Sequence, residues 1–340
     1  MKQPNGKLVD HEENPIPHGA QPGLCETPDG RLLRYALWDP PAGSRKGTVC
    51  IFEGRGEFIE KYFETVRDLQ ARGYGVAVLD WRGQGGSGFA KRRFFGSYVA
   101  SFDEYEDDLI TFMQTVVLPD CAPPFHVIAH STGALVVAEN LLRRTWFEKA
   151  IFTGPLFGFS RGVMPWRLVH ISSGILTAFG LGGLSLPGRS ARSFAGMGFF
   201  GNPFTSDEDR FDRIKGVLKT APQLSSKRPK IGWLFAAFRA MSELNAIPNK
   251  VHLCAPVMIL SSRRDQIVAR EAADEFSEKV QNATNIVIDG AKHEILLERD
   301  DLREQFWSVF DTFFDGAEPL VSAGQNRPSA QNEAKKNEAA

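Results

Sequence analysis

Six short runs of apolar residues punctuate the chain: GTVCIFEG (47–54), GYGVAVLD (73–80), FHVIA (125–129), KAIFTG (149–154), PVMILSS (256–262) and TNIVIDG (284–290). They show little polar alternation, which is how strands buried on both faces of a parallel sheet read. Between them the period changes. In FIEKYFETVRDLQARG (58–73), Ile59, Tyr62, Phe63, Val66 and Leu69 recur at helical spacing, and Gly73 supplies a C-terminal stop. Strand and helix alternate, so the predicted fold class is α/β, a mostly parallel sheet flanked by helices.

The alternation lapses from 155 to 250, where Phe, Gly, Leu, Trp and Pro accumulate without a strand–helix rhythm. This stretch reads as an inserted cap, leaving 30–154 and 251–316 as the core and 1–29 as an N-terminal extension. The tail 317–340 lacks aromatic residues and large apolar clusters and is expected to be disordered. Inside the cap, Leu168 to Gly188 carries no Asp, Glu, Lys or Arg and is long enough to cross a bilayer. Glycines, His170, Ser172 and Ser173 dilute it, which favours a buried or interfacial segment over a spanning one.

Composition bears on partners. With 42% hydrophobic and 24% charged residues the chain belongs with globular proteins that bury a large core. The 40 basic and 41 acidic side chains leave a formal charge of −1, so no global field draws nucleic acid. Cys25, Cys50, Cys121 and Cys254 are scattered, without the close C-x-x-C spacing of zinc or redox sites. The opening MKQPNGKLVDHEENPIPHG has no apolar stretch behind its early lysine; a cytoplasmic location is therefore the expectation.

Reactive chemistry concentrates at FHVIAHSTGALVVAEN (125–140), where a strand pattern turns into a helix pattern through His130, Ser131 and Gly133. A sharp turn of this kind exposes a serine oxygen beside the amide donors of a helix N-terminus, and it needs small neighbours, here Ala129 and Gly133. The motif is a variant of G-x-S-x-G with Ala129 in place of the first glycine; an N-cap serine is the competing reading. Chain order separates the two. A serine nucleophile needs an acid and then a histidine further along, each at a strand end. Asp265 follows PVMILSS and His293 follows NIVIDG, which makes Ser131, Asp265 and His293 the candidate catalytic triad. Taken alone, Asp265 reads as an Asx turn and His293 as a surface residue. His130 is assigned a packing or hydrogen-bonding role beside the serine. Thr132, the residue after the serine, offers one oxyanion amide; Arg55, in the glycine turn of FEGRGEF, offers the other.

The stretches EGRGEFIEKYFE, VLDWRGQGGSG, AHSTGA, SSRRDQIV and GAKHEILLE resemble, in succession, the signatures of the monoacylglycerol lipase and lysophospholipase branch of the α/β-hydrolase superfamily. That branch is also labelled a serine aminopeptidase family. GRGEFIEKYFE and DWRGQGGSG are most similar to the bacterial inner-membrane lysophospholipase type. The resemblance implies an α/β-hydrolase fold with a cap, the same triad at Ser131, Asp265 and His293, oxyanion donors at the backbones of Arg55 and Thr132, and neither cofactor nor metal. The chain departs from the pattern at Glu53, where relatives commonly carry histidine, and at AHSTGA, where they carry G-H-S-M-G-G.

DWRGQGGSG lacks the G-x-x-x-x-G-K-[ST] arrangement of a phosphate loop and reads as a structural loop, with Arg82 available for internal ion pairs. Lys91, Arg92 and Arg93 read as a solvated basic run, with an anionic headgroup as the alternative partner. The leading expectation is a serine hydrolase of single-chain lipid esters, a lysophospholipid first and a monoacylglycerol second, touching the inner face of a membrane through its cap. An aminopeptidase or small-ester hydrolase is the nearest rival, with the acids of SDEDRFD (206–212) as amine anchors; the simpler reading of that stretch is a helix start with Ser206 as N-cap. A non-catalytic scaffold that binds lipid or protein is the third reading.

Overall fold

Eight strands form one sheet in the computed structural model, which describes residues 6–88, 98–160, 166–186, 194–226 and 228–316. The basic run Lys91, Arg92, Arg93 and the tail 317–340 lie outside the described residues. The strands are β1 (Gln21–Glu26), β2 (Leu32–Trp38), β3 (Thr48–Phe52), β4 (Gly75–Leu79), β5 (Phe125–His130), β6 (Lys149–Thr153), β7 (Val257–Ser262) and β8 (Ala283–Ile288), in the order β1-β2-β4-β3-β5-β6-β7-β8. Every neighbouring pair from β4 to β8 is parallel. β1 and β2 add an antiparallel edge.

The six apolar runs are β3 to β8. Every residue of β3, β4 and β5 is buried, because helices cover both faces of the sheet, and this is why their sequences do not alternate. Val49, Ile51, Val76 and Val78 face one side, with α1 (Phe63–Ala71) and the aromatic stripe Phe306, Phe310, Phe314 of α9 (Asp300–Asp315). Cys50, Phe52, Ala77 and Leu79 face the other, with α2 (Asp103–Phe112), α4 (Thr132–Leu141) and α8 (Arg270–Lys279). A short turn, α3 (Leu118–Asp120), precedes β5.

Two expectations change. β1 lies within the stretch read as an extension outside the core, yet it pairs with β2 along its whole length. Of its six residues only Cys25 is buried, so an exposed edge strand left no hydrophobic run to read. β2 is interrupted by Arg34, whose charge is buried and paired inside the fold. The predicted 58–73 helix begins as a 3₁₀ turn, Ile59–Tyr62, before α1, and ends at Gly73 with φ 90°.

Between β6 and β7 the chain leaves the sheet to form α5 (Trp166–Ala178), α6 (Glu208–Thr220) and α7 (Ile231–Asn245). Trp233, Leu234, Ala237, Phe238 and Met241 of α7 join the core on the α4 side. α6 begins one residue later than expected: Asp207, not Ser206, is the N-cap, and its carboxylate accepts the Arg210 amide hydrogen at 2.7 Å. The Ser206 amide is instead held by Glu298 Oε2 at 3.0 Å.

Glu64 of α1 ties this insertion to the core. Its carboxylate accepts from Arg210 at 2.7 Å, from Arg213, and from Arg303 of α9 at 2.7 Å. Burial pushes its pKa up, but the three guanidinium groups outweigh that and hold it at about 2. A carboxylate with a lowered folded pKa stabilises fully above its unfolded value and loses that contribution as pH falls through the folded one. Glu64→Gln should therefore cost roughly 3 kcal/mol at neutral pH and flatten the loss of stability between about pH 4.5 and 2; urea unfolding of both proteins across that range checks it.

Candidate active site

Ser131 stands between the last residue of β5 and the first of α4 with φ 50° and ψ −110°, a left-handed conformation for a residue with a side chain. Such a residue costs about 1–3 kcal/mol and persists only where its surroundings hold it. Here the Ser131 N–H donates to Thr153 O at 3.0 Å, and its carbonyl accepts from Leu156 N at 3.0 Å and Leu135 N at 3.3 Å. Gly133 packs so tightly that a Cβ would lie 2.3 Å from Phe52 O and 2.7 Å from Glu53 O. The turn is thereby pressed against the end of β3. Ser131 occupies the N-cap position, but its hydroxyl makes no capping hydrogen bond. The simple capping reading of this serine does not hold.

Asp265 and His293 sit in the turns that follow β7 and β8, at the same edge of the sheet as Ser131, because β5 to β8 are parallel. The structure brings the acid and the base together: His293 Nδ1 is 2.6 Å from Asp265 Oδ2, with both side chains buried. Asp265 Oδ1 also accepts the amides of Ile267 at 2.7 Å and Val268 at 3.0 Å, so the Asx turn exists and serves to aim the other oxygen. Burial pushes the Asp265 pKa up, yet His293 and these amides outweigh it and hold the carboxyl below its usual range. An ionised Asp265 only accepts hydrogen bonds, so His293 Nδ1 carries a proton toward it. The ring packs beside the residue after Thr153, whose carbonyl takes the Ser131 amide hydrogen: a Cβ on Gly154, at φ 48°, would meet His293 Nδ1 at 3.2 Å.

The loop after β3 closes the third side. Trp81 Nε1 donates to Glu53 O at 2.7 Å, the Gly54 amide to Glu57 Oε2 at 2.6 Å, and the Gly56 amide to Gln84 Oε1. Arg55 lies between, its guanidinium 5.0 Å from the Trp233 ring of α7. Burial lowers its pKa to about 10, with Tyr105 acting in the opposite direction. Thr132, the first residue of α4, is buried beside the same loop. DWRGQGGSG braces the loop from below. Arg34 binds Glu60 at 2.7 Å and Asp80 at 2.6 Å, Asp80 accepts the amides of Ile59 and Gly86, and Arg82 clamps Asp108.

Sequence reasoning missed a second buried cluster behind the site, formed by Glu57, Lys61, His130 and Glu294. Ligand-type atoms of Glu57, His130 and Glu294 lie within 4.8 Å of one another, an arrangement that suits a small cation. The Lys61 ammonium supplies that charge, 2.5 Å from Glu57 Oε1 and 2.6 Å from Glu294 Oε1. The available signal was a pair of opposite charges four residues apart, Glu57 and Lys61. Glu53, where relatives commonly carry histidine, is fully buried, and neither carboxylate oxygen has a hydrogen-bond partner among the described residues. Burial, with Asp80 and Glu57 nearby, raises its pKa well above the carboxylate range, so it is carried as the neutral acid.

The insertion grips the histidine loop, since Pro203 O accepts His293 N at 3.3 Å and Phe204 O accepts Glu294 N at 2.9 Å. The acids of 206–212 do not converge on a site: Asp207 pairs with Arg210, while Glu208, Asp209 and Asp212 are exposed.

An eight-stranded, mostly parallel sheet with a strained serine turn and a buried acid–histidine pair at its carboxyl edge defines an α/β-hydrolase, and the class to which this chain belongs is that of ester hydrolases. The sequence pattern of the family described as "Serine aminopeptidase, S33" matches residues 43–300, and the chain belongs to that family. It is 26% identical over 288 residues to the probable lysophospholipase L2 of Haemophilus influenzae, covering 84% of this chain and 88% of that one. It is 27% identical over 283 residues to lysophospholipase L2 of Escherichia coli K12, covering 78% and 80%. Among solved structures, a soluble variant of monoglyceride lipase from Saccharomyces cerevisiae superposes with a TM-score of 0.67 at 20% identity, covering 87% of this chain and 96% of that one. Paleococcus ferrophilus monoacylglycerol lipase gives 0.63 at 20% identity, covering 84% and 99%. At those identities the likeness is one of fold.

The strain at residue 131 is separable from its chemistry. Glycine accepts φ 50° without a Cβ penalty, so Ser131→Gly should be more stable than Ser131→Ala by about 1 kcal/mol, a few degrees in Tm. Calorimetric melting of the two variants checks this, and equal melting points would place the strain elsewhere.

Proposed function

We propose that this chain is a lysophospholipase, cleaving the carboxylic ester of a single-chain lipid through an acyl-enzyme on Ser131. What supports the reading is the buried His293–Asp265 pair, its imidazole packed on His130 beside the strained Ser131, in a chain that aligns over most of the length of two relatives named lysophospholipase L2. Ser131 Oγ attacks the ester carbonyl while His293 Nε2 takes its proton; Asp265 keeps Nδ1 protonated and balances the imidazolium that forms. The amides of Thr132 and Arg55 stabilise the oxyanion, each worth on the order of 10²–10³ in rate. His293 then protonates the leaving glycerol oxygen, and water releases the fatty acid by the reverse steps.

The surface of the insertion supports a lipid substrate. Leu168, Ile171, Ile175 and Phe179 line one side of α5 and its end, each more than half exposed, and Phe200 is 92% exposed. No described helix is long and apolar enough to cross a membrane. A stripe of this kind suits an interface, lying in the headgroup region with its apolar face down. The aminopeptidase reading needs carboxylates to hold a free amine, and the acids offered for it are paired or exposed.

Fatty-acid release from lysophosphatidylethanolamine should exceed hydrolysis of an aminoacyl anilide. Release should vanish in Ser131→Ala and fall on the order of 10⁴-fold in Asp265→Asn. A monoacylglycerol assayed alongside ranks the headgroups, and full activity in Ser131→Ala rejects the mechanism. The double variant Ile171→Glu, Ile175→Glu should lose sedimentation with anionic phospholipid vesicles while hydrolysing a water-soluble short-chain ester as before; unchanged sedimentation removes α5 from the lipid contact.

A further inference from the structure

Behind the triad, one buried cluster touches all three segments that the reaction depends on. Glu57 Oε2 accepts the Gly54 amide at 2.6 Å, holding the loop that carries Arg55, and also the Tyr62 hydroxyl at 2.5 Å. Lys61 bridges Glu57 to Glu294, the neighbour of His293. His130, the neighbour of Ser131, packs its ring 4.7 Å from the His293 ring. It also packs against Gly54, where a Cβ would lie 2.9 Å from His130 Cδ2. Thr153 O receives both the Ser131 amide and His130 Nδ1, the latter at 2.9 Å.

The hydrogen positions follow from these contacts. His130 Nδ1 lies 3.0 Å from the Thr153 hydroxyl as well, but the carbonyl, closer at 2.9 Å, only accepts, so His130 Nδ1 carries a proton and the hydroxyl turns elsewhere. Its Nε2 faces Glu294 Oε2 at 3.3 Å and Glu57 Oε1 at 3.6 Å, and a lone pair there would repel both carboxylates. Only the doubly protonated ring suits both sides. Two carboxylates then balance one ammonium and one imidazolium, in a cluster whose four members are nearly inaccessible to water.

We propose that Glu57, Lys61, His130 and Glu294 are positioning residues, a charge-balanced cluster that holds the oxyanion loop, the serine turn and the histidine loop in register. The proposal rests on the triad reading above. Its titratable element is His130, which is faced by Glu57, Lys61 and Tyr62 from the turn after β3 and by Glu294 and His293 from the loop after β8. Burial disfavours its charge, but Glu294 and Glu57 outweigh that and raise its pKa, with Lys61 opposing them. A raised folded pKa means that the imidazolium persists to higher pH than in a free histidine, and that the cluster comes apart as pH rises through the raised value. The Nε2 lone pair then confronts Glu294, and the displacement passes along the chain to His293.

The test is the pH profile of kcat on a soluble short-chain ester, from mildly acidic to alkaline, with folding checked by circular dichroism at each pH. Wild-type kcat should decline on the alkaline side while the protein stays folded. His130→Gln should lower kcat about 10²-fold with KM little changed and lose the alkaline decline. Glu294→Gln, which takes away the larger support for the imidazolium, should move that decline to lower pH. Lys61→Arg should retain most of the activity that Lys61→Met loses. A flat alkaline plateau in the folded wild type overturns the proposal, as does His130→Gln with wild-type kcat and profile. Ser131→Ala separates the two levels: activity surviving there rejects the triad, whereas an inactive Ser131→Ala beside unaltered His130→Gln and Glu294→Gln rejects only the positioning role.

Discussion

The close approach of Gly133 to the carbonyls of Phe52 and Glu53 is the constraint around which the site is arranged. It presses the start of α4 against the end of β3, and β5 can then turn into α4 only through a residue at positive φ. That residue is Ser131. The same contact brings the amide end of α4 to the loop carrying Arg55, so the proposed nucleophile and the proposed oxyanion donors come from one packing event. Hydrogen bonds from Ser131 N, Leu156 N and Leu135 N bind the strained turn to β6, to the chain beyond it and to α4. Strain at residue 131 is thus carried by the rigid centre of the sheet, where neighbouring parallel strands leave the backbone no room to relax.

Electrostatics supply a second layer of order. The 3₁₀ turn Ile59–Tyr62 directs successive residues into different clusters: Glu60 to Arg34, Lys61 to Glu57 and Glu294. Glu53 lies near both and is neutral, which spares the interior another uncompensated charge. Buried ion pairs of this kind give little net stability, and their value lies in fixing geometry.

The insertion between β6 and β7 has two faces with different work. Inward, α7 seats Trp233 on Arg55 and residues 203–204 hold the histidine loop, so the insertion braces two segments of the candidate site. Outward, α5 shows an apolar stripe to solvent. Both properties suit the proposed lipid-ester reaction, whose substrate would reside in an apolar phase while the chemistry needs an ordered site.

The sequence by itself determined the sheet and the chemistry of its edge. Continuous apolar runs identified β3 to β8 because burial on both faces removes alternation, and the order Ser131, Asp265, His293 after successive strands located the candidate triad because parallel strands end together. What depends on contacts between distant segments was decided only by the tertiary structure. The edge strand β1 left no hydrophobic signature because most of it meets solvent. Asp207 rather than Ser206 caps α6, and the Ser206 amide goes to Glu298, 92 residues away, a partner that no local pattern names. The partners of His130 are equally remote: Glu57 and Lys61 lie on the turn after β3, and Glu294 lies beyond β8. Periodicity reports which face of an element is buried; it carries no record of which charge will meet which once the faces close.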